Sequence, residues 1–425
     1  MERRAGRGEP EGGVTPVGRQ IVVMITTSYP RFPGDGIGSF IAPIAKGVAA
    51  RGHAVHLVAP AHPEIRLPDQ EDGVQFHFYK YAPGNPKSWG YASGLKADTA
   101  LRASAWAAAP LGVLAGIRAA RRVAADFGAT VLHAHWVIPN GVIAAAAARS
   151  LPIVTSLHGS DVFVAERSGL ARRGAKYAFD RSGWVTACSD DLRERAIRLG
   201  ANKDRIDTVP YGVDTFRFAP GAVVRAAVRH ELGIGDAPFV FAAGRLVSKK
   251  GFEYLIDAVA ALGDLPTLQV AIAGAGDLHD ALAGRAASFG GRIRLLGNKS
   301  QDEISRLCAA ADVIVVPSIR DDAGNVDGLP NFALEALASA TPVIASRAGG
   351  LPQVIDDTVS GRLVPERDAA AIAGAIRELL RQPDVAARIG QAARAHVSEQ
   401  FGWGRTAEGL ERAYEHASQS PLKLK

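Results

Sequence analysis

The chain has 425 residues, 47% hydrophobic and 22% charged, with a formal net charge of +6. This composition excludes a disordered or fibrous chain and leaves material for roughly two to three globular domains. Its only two cysteines, Cys188 and Cys308, lie far apart without metal-ligand spacing, which excludes a disulfide framework and favours a reducing cytoplasm.

Residues 1–18 are charged and Gly-rich without an apolar run, and are expected to form a disordered tail rather than a signal peptide. Gln20–Thr26 then reads as a buried first strand. A turn-rich loop, YPRFPGDGIGSF, leads into a helix over Ser39–Arg51, with Gly52 as its C-cap and HAVHLVAP as the second strand. Gly36 and Gly38 would let the backbone approach a phosphate, although such a turn is more often simply tight. Val74–Tyr81 alternates like a strand. The segment 84–125 holds Trp89, Tyr91, Trp106 and several basic residues. It is either an interfacial, acceptor-facing surface or a set of aromatics packing helices on a sheet. Its apolar run Trp106–Ile117 is too short and Pro-broken to span a bilayer, which takes about 20 helical residues.

Thr130–Ala134 is predicted as a strand, Gly141–Arg149 as a helix and Pro152–Leu157 as a strand. His133 and His135 share one face of an extended segment; with no third ligand at hand, local packing is expected rather than a metal site. His158 directly follows a strand and precedes Gly159-Ser160-Asp161. That is where ligands bind in open parallel sheets, so His158 is a candidate site residue beside a purely structural reading. Gly183–Cys188 (strand), a helix N-capped by Ser189 and ending at Leu199, Arg205–Val209 (strand) and an Asp214–Pro220 linker complete the first half. Through Thr215 the chain carries 26 Lys+Arg against 19 Asp+Glu, and the remainder 23 against 24. The basic half suits a membrane surface, a phosphate-bearing acceptor or nucleic acid, or is a solvated face.

From Pro238 the alternation restarts. FVFAAGRLVSKKGFEYLIDAVAAL reads as strand, basic loop and helix. Arg245 and Lys250 precede a helix N-terminus, an arrangement that repels itself unless an anion sits between the cations. Further strands and helices follow to Ser318. The stretch Asp321–Ser346 reads as loop, helix and strand, with Asp327 in the loop, Pro330 in the first helical turn and Glu335 further in. Two carboxylates flanking a helix N-terminus suit a ligand with an anionic middle and hydroxyl-rich ends, such as a nucleotide-sugar. GLPQVIDDTVSGRLV is expected to be hairpin-like. A last helical region runs from Pro383 to His416, interrupted around Gly402–Gly404. Both halves thus fit doubly wound α/β domains, meeting near residue 216 across a cleft.

The ordered set GSF, RGHAVHLVAP, LHAHWVIPNG, HGSDV, the YGVD linker, GRLVSKKG, IAGAGD and DGLPNFALEALASATPVIAS with GGLPQVI resembles the retaining glycosyltransferases of glycosyltransferase family 4. The resemblance covers nearly the whole chain after residue 20. It implies the two-Rossmann GT-B fold, with an N-terminal acceptor-side domain over 19–215, joined by the last helix, about 404–425. A donor-binding domain would span 216–403. It also implies residue roles. Arg245 and Lys250 bind the donor diphosphate, Glu335 holds the ribose, and Asp327 and His158 approach the donor sugar. Gly38 and Ser39 lie near the diphosphate and acceptor. Gly328, Leu329, Pro330 and Asn331 line the helix start. The chain has Asp327 where the family's first acidic residue is Glu, one methylene longer.

The implied activity transfers a hexosyl group from a nucleotide diphosphate sugar to a hydroxyl of a lipid-linked, polysaccharide or small-molecule acceptor. It proceeds by front-face displacement with retained configuration, without a metal or a resident cofactor and with no nucleic acid partner. A cytoplasmic protein in peripheral contact with an anionic membrane is expected. Asp321-Asp322 reads as a solvated loop rather than a metal motif. A nucleotide-sugar epimerase and a catalytically lapsed nucleotide-sugar-binding protein are the alternatives. A dinucleotide-dependent oxidoreductase is disfavoured, because neither half shows G-x-G-x-x-G after its first strand.

Overall fold

The computed structural model describes residues 18–83, 89–91, 95–96, 100–101 and 103–420. The tail expected at 1–18 lies, apart from Gly18, outside the described residues, and so does the Trp106 side chain. In the first half, β1 (Ile21–Ile25) leads through α1 (Ile41–Ala50) to β2 (Ala54–Pro60) and β3 (Val74–Tyr79). Then follow α2 (Ala103–Asp126), β4 (Val131–His135), β5 (Ile153–Leu157), α3 (Ser160–Arg167), β6 (Trp184–Ala187), α4 (Asp190–Arg198) and β7 (Ile206–Thr208). The strands lie in the order β7-β6-β5-β4-β1-β2-β3, all parallel, and Gln70–Glu71 adds an antiparallel edge on β3. β4 and β5 are buried along their whole length, as strands covered by helices on both faces must be.

The second half repeats the plan. It contains β8 (Phe239–Ala243), β9 (Gln269–Ala273), β10 (Ile293–Leu295), α5 (Gln301–Ala310), β11 (Val313–Val316), α6 (Asn331–Ala338), β12 (Val343–Ser346) and β13 (Arg362–Val364). Their order is β10-β9-β8-β11-β12-β13, again all parallel. Both domains are therefore doubly wound, with direction switches between β1 and β4 and between β8 and β11. Ligand crevices in such sheets open beyond the carboxyl ends of the strands at these switches. The expected hairpin at 351–364 is not one. Leu351–Val354 forms a helical turn and Arg362–Val364 pairs parallel to β12, extending the buried sheet by a strand.

The last helix, α7 (Trp403–Gln419), returns to the N-terminal sheet. A Cβ at Gly183, ahead of β6, would lie 2.9 Å from Ala417 Cα. The Tyr414 hydroxyl meets His133 Nδ1 at 2.9 Å, and Arg51 Nε donates to Glu411 at 2.7 Å. Trp89 and Tyr91, offered above as an acceptor-facing surface, are 7% and 4% exposed. Trp89 Nε1 donates to the Tyr79 hydroxyl, and the indole lies over Gly112 of α2, so these aromatics pack α2 on the sheet. Burying rings of this size releases more free energy than leaving them wet.

The carboxyl ends of the two sheets face each other, and part of the expected cleft is closed by direct contact. Phe163 of α3 is buried against Val326 and Ala348 of the other domain. Asp190 N–H donates to Gln353 Oε1 at 3.0 Å, and Arg320 reaches Asp191 at 3.5 Å. A Cβ at Gly328 would meet Cys188 Sγ at 3.0 Å.

Candidate active site

The basic loop after β8 makes a tight turn over Ser248–Lys250 and ends at Gly251, φ +62°, where a Cβ would lie 2.1 Å from the Pro317 carbonyl oxygen. Neighbouring side chains point apart in an extended strand; this turn instead sends two consecutive lysines to one carboxylate. Lys250 Nζ lies 2.7 Å from Asp327 Oδ2 and Lys249 Nζ 3.2 Å from Oδ1. The Ser318 hydroxyl also donates to Oδ2, at 3.1 Å. Asp327 is 8% exposed. Burial opposes its ionisation, but Lys250 and Lys249 outweigh that and hold its carboxyl well below the usual carboxylate range. The anion that the sequence demanded between cations is thus, for the lysines, internal. Arg245 sits exposed just beyond β8 on the same loop.

Pro330 is the residue before α6 rather than within its first turn: its ψ of 121° is extended, and the helix opens at Asn331. The backbone around it is tightly held. Cβ atoms at Gly349 and Gly350 would lie 1.9 Å and 2.1 Å from the carbonyl oxygens of Asp327 and Gly328. Within α6, Glu335 is half-buried. Burial pushes its carboxyl up to about 7, against a Gln301 hydrogen bond and the charges of Arg217 and Lys250. Asn325, 1% exposed, has neither side-chain amide atom paired among the described residues, and Asn331 Oδ1 is likewise buried and unpaired. Such atoms call for a partner.

On the facing domain, Gly38, φ +67°, packs its backbone on Ser28 and Tyr29, and half-buried Ser39 follows it. The next residue, Phe40, lays its ring 4.8 Å from His158, 5.0 Å from Tyr211 and 5.7 Å from Trp136. His158 does not turn its ring nitrogens to the seam, as expected of a residue approaching a sugar. Nε2 bonds His135 Nδ1 at 3.0 Å and Nδ1 bonds the Tyr211 hydroxyl at 2.7 Å. Burial, then His135, lowers its pKa well below the usual value, so the ring is neutral. The part of this loop facing the second domain is main chain: a Cβ at Gly159 would lie 4.0 Å from Gly328 N. Asp161 shapes the loop by accepting N–H groups from Val137 at 2.7 Å and Gly159 at 3.0 Å. Burial raises its carboxyl to about 6.

His133 spends its ring on Tyr414 and on Ser156 Oγ at 2.7 Å, so neither of its nitrogens is open to a metal. Among the described residues no group of three or more His, Cys, Asp or Glu is arranged to hold a metal ion. Asp322 pairs with Arg367 at 2.7 Å and Asp321 accepts the Asn325 N–H at 2.9 Å.

Two family descriptions divide the chain as its two sheets do. The sequence model for "Glycosyltransferase Family 4" matches residues 34–217 and that for "Glycosyl transferases group 1" matches residues 224–396. A D-inositol 3-phosphate glycosyltransferase of Frankia alni is 34% identical over 310 residues, 68% of this chain and 74% of that protein. The chain belongs to the group 1, family 4 glycosyltransferases.

A GDP-mannose-dependent alpha-(1-6)-phosphatidylinositol monomannoside mannosyltransferase of Mycolicibacterium smegmatis is 34% identical over 259 residues, 59% of this chain and 66% of that protein. The matched stretch therefore spans just under two-thirds of this relative and about half of others, such as 52% of a Nocardia farcinica glycosyltransferase. The solved structure of Anabaena HepE in complex with UDP superposes with a TM-score of 0.74 at 20% identity, covering 92% of this chain and 98% of that one. This shows the GT-B fold of the family. Within that fold the structure gathers Asp327, Gly328 and Leu329 with Lys250 and the His158–Gly159 loop. Sequence reasoning missed Lys249, Ser318 and Asn325, all beside Asp327, and Tyr211 and Cys188 beside His158. Only Lys249 left a trace, as the second lysine in SKKG.

Proposed function

We propose that the chain is a nucleotide-sugar-dependent hexosyltransferase that retains anomeric configuration. The observation that carries this reading is the buried Lys249–Asp327–Lys250 cluster, which ties the loop after β8 that also bears Arg245 to the loop immediately before α6. Cations gathered before helix starts are the groups that a diphosphate matches. Glu335, one helical turn in, accepts the ribose hydroxyls. The unpaired amide of Asn325 and Oδ1 of Asn331 offer hydrogen bonds to the donor. The Asn331 end of α6 faces the phosphates.

Chemistry follows from charge. The anomeric carbon–oxygen bond to the β-phosphate breaks as the acceptor hydroxyl attacks from the same face. The leaving phosphate oxygen takes the acceptor's proton, and Arg245, Lys250 and Lys249 stabilise the charge it gains. Asp327 orders the lysines beside the sugar, and the main chain at His158–Gly159 meets the sugar from the other domain. Gly38 and Ser39 approach the diphosphate and acceptor. The relatives act on GDP-mannose or inositol 3-phosphate by name, which supports a phosphate-bearing or lipid-linked acceptor here.

A membrane-facing acceptor side has a specific support. Helix α2 exposes Leu111 and Leu114, 54% and 49% accessible, followed by exposed Arg118, Arg121 and Arg122. Apolar side chains followed by cations suit the inner face of an anionic membrane. No helix among the described residues is long and apolar enough to cross a membrane.

The test is a thermal-shift panel of UDP-, GDP- and ADP-sugars, followed by turnover with the stabilising donor. Release of nucleoside diphosphate only when an acceptor is present is expected; release or sugar isomerisation without one would favour the epimerase.

A further inference from the structure

The loop that carries Gly38 and Ser39 leaves the carboxyl end of β1, and residues 61–69 leave the carboxyl end of its neighbour β2. Both start at the rim where an open parallel sheet takes its ligand. Their roots are tied by Tyr91, whose N–H donates to the Thr27 carbonyl at 2.9 Å and whose hydroxyl donates to the Pro60 carbonyl at 2.8 Å. Further out, one guanidinium joins them. Arg31 Nε donates to Asp35 Oδ2 at 2.6 Å and Nη2 to Oδ1 at 3.1 Å, a fork on both oxygens of one carboxylate. Its Nη1 reaches across to Glu64 Oε2 at 2.6 Å, and the Arg66 N–H donates to the Arg31 carbonyl at 2.6 Å.

Asp35 passes this hold on to the glycines. Its Oδ2 accepts the Arg31 N–H at 3.0 Å and its Oδ1 the Ile37 N–H at 3.1 Å, so the carboxylate closes the turn that leads into Gly38. The Arg31 and Asp35 side chains are 14% and 5% exposed, so the pair lies largely out of water, where a bidentate geometry counts for more than on an open surface. Beyond Ser39, the Phe40 ring is seated among His158, Tyr211 and Trp136. The segment 31–40 is thus held at both ends, by an arginine fork and by an aromatic ring, with Gly36–Ser39 between them. A lysine is no substitute for Arg31, because a point charge on a flexible stem cannot take both Asp35 oxygens and Glu64 in one fixed plane.

We propose that Arg31 is a positioning residue that sets Gly38 and Ser39 against the seam and fixes the loop after β2 beside them, so that the acceptor side of the site has one shape. What Gly38 and Ser39 meet rests on the functional reading above; the bonding does not. The nucleotide contacts of that reading, Arg245, Lys250 and Glu335, all lie in the second domain, so losing the fork should slow transfer and spare the nucleotide.

The experiment compares the full-length wild type with Arg31→Lys, Asp35→Asn and Glu64→Gln. It combines hydrogen–deuterium exchange, nucleoside diphosphate titration and release of nucleoside diphosphate from the donor that the thermal panel selects. In Arg31→Lys the amides of 31–39 and of 64–67 should both exchange at least tenfold faster, with the second sheet unchanged. Asp35→Asn, which keeps the side-chain shape and weakens the fork, should loosen 31–39 in the same way even where Arg31→Lys fails to fold. Glu64→Gln, which leaves the fork intact, should loosen only 64–67. In Arg31→Lys and Asp35→Asn, kcat should fall at least tenfold while the nucleoside diphosphate Kd stays within twofold of wild type. Unchanged exchange in 31–39, faster exchange spread evenly over the whole chain, or an unchanged kcat with 31–39 loosened would overturn the proposal. A wild type that releases nothing from any donor would defeat the functional reading, while the exchange pattern would still decide whether Arg31 holds the two loops.

Discussion

The Asp327 carboxylate is not free. It is ionised because two ammonium groups hold it, and they tolerate burial because it is there. Breaking a buried ion pair from one side costs about 3–5 kcal/mol, since the uncompensated charges stay behind. Asp327→Asn should lower stability by about that amount in chemical denaturation. A nucleoside diphosphate should return part of the loss, by replacing the missing anion. Glu335 behaves in the opposite sense. Its folded carboxyl is raised from 4.5 to about 7, so between those values the folded protein holds more protons than the unfolded chain. Stability contributed at this residue is therefore lost as pH rises through that window. Glu335→Gln should leave stability unchanged below pH 4.5 and raise it by about 3 kcal/mol above pH 7. Nucleotide affinity should fall in the same variant. Thermal melts across pH check the first and titration the second; a variant stabilised equally at all pH values would contradict the assignment.

At the scale of elements, the strands and helices were legible because parallel strands read as continuous apolar runs and helices as amphipathic ones. The candidate residues were legible because they stand at strand ends or helix starts. What escaped needed geometry that no local pattern carries. Lys249 beside Lys250 looks like a solvated charge until Gly251 turns the chain. Trp89 looks interfacial until Gly112 lets α2 come down on it. The parallel β13 looked like half a hairpin because sequence does not state which strand it will join. The cradle at Gly349-Gly350 is of this kind. A Cβ at Gly349 would sit 1.9 Å from the Asp327 carbonyl oxygen with φ at +52°. Gly349→Ala should cost about 3 kcal/mol of stability and weaken nucleotide binding at least tenfold, by pushing the donor loop away. Calorimetric titration with an unchanged Kd would mean that the loop does not shape the site.

Across the whole molecule, two doubly wound domains meet at their switch points, with the C-terminal helix bound back onto the first. That meeting brings groups from 169 residues apart to one seam, Gly159 against Gly328. The excess of cations lies in the first half of the chain. Leu111→Glu with Leu114→Glu should reduce sedimentation with anionic vesicles severalfold and leave nucleotide affinity unchanged; equal binding to neutral vesicles would contradict the membrane-facing placement. We propose the seam as a nucleoside diphosphate site built on the Asp327 lysines. Isothermal titration of UDP, GDP and ADP into wild type, Lys250→Ala and Arg245→Ala tests it most directly. At least one nucleotide should bind the wild type with a micromolar Kd and bind each variant at least tenfold more weakly, about 1.4 kcal/mol. Binding of none, or binding indifferent to both substitutions, would contradict it.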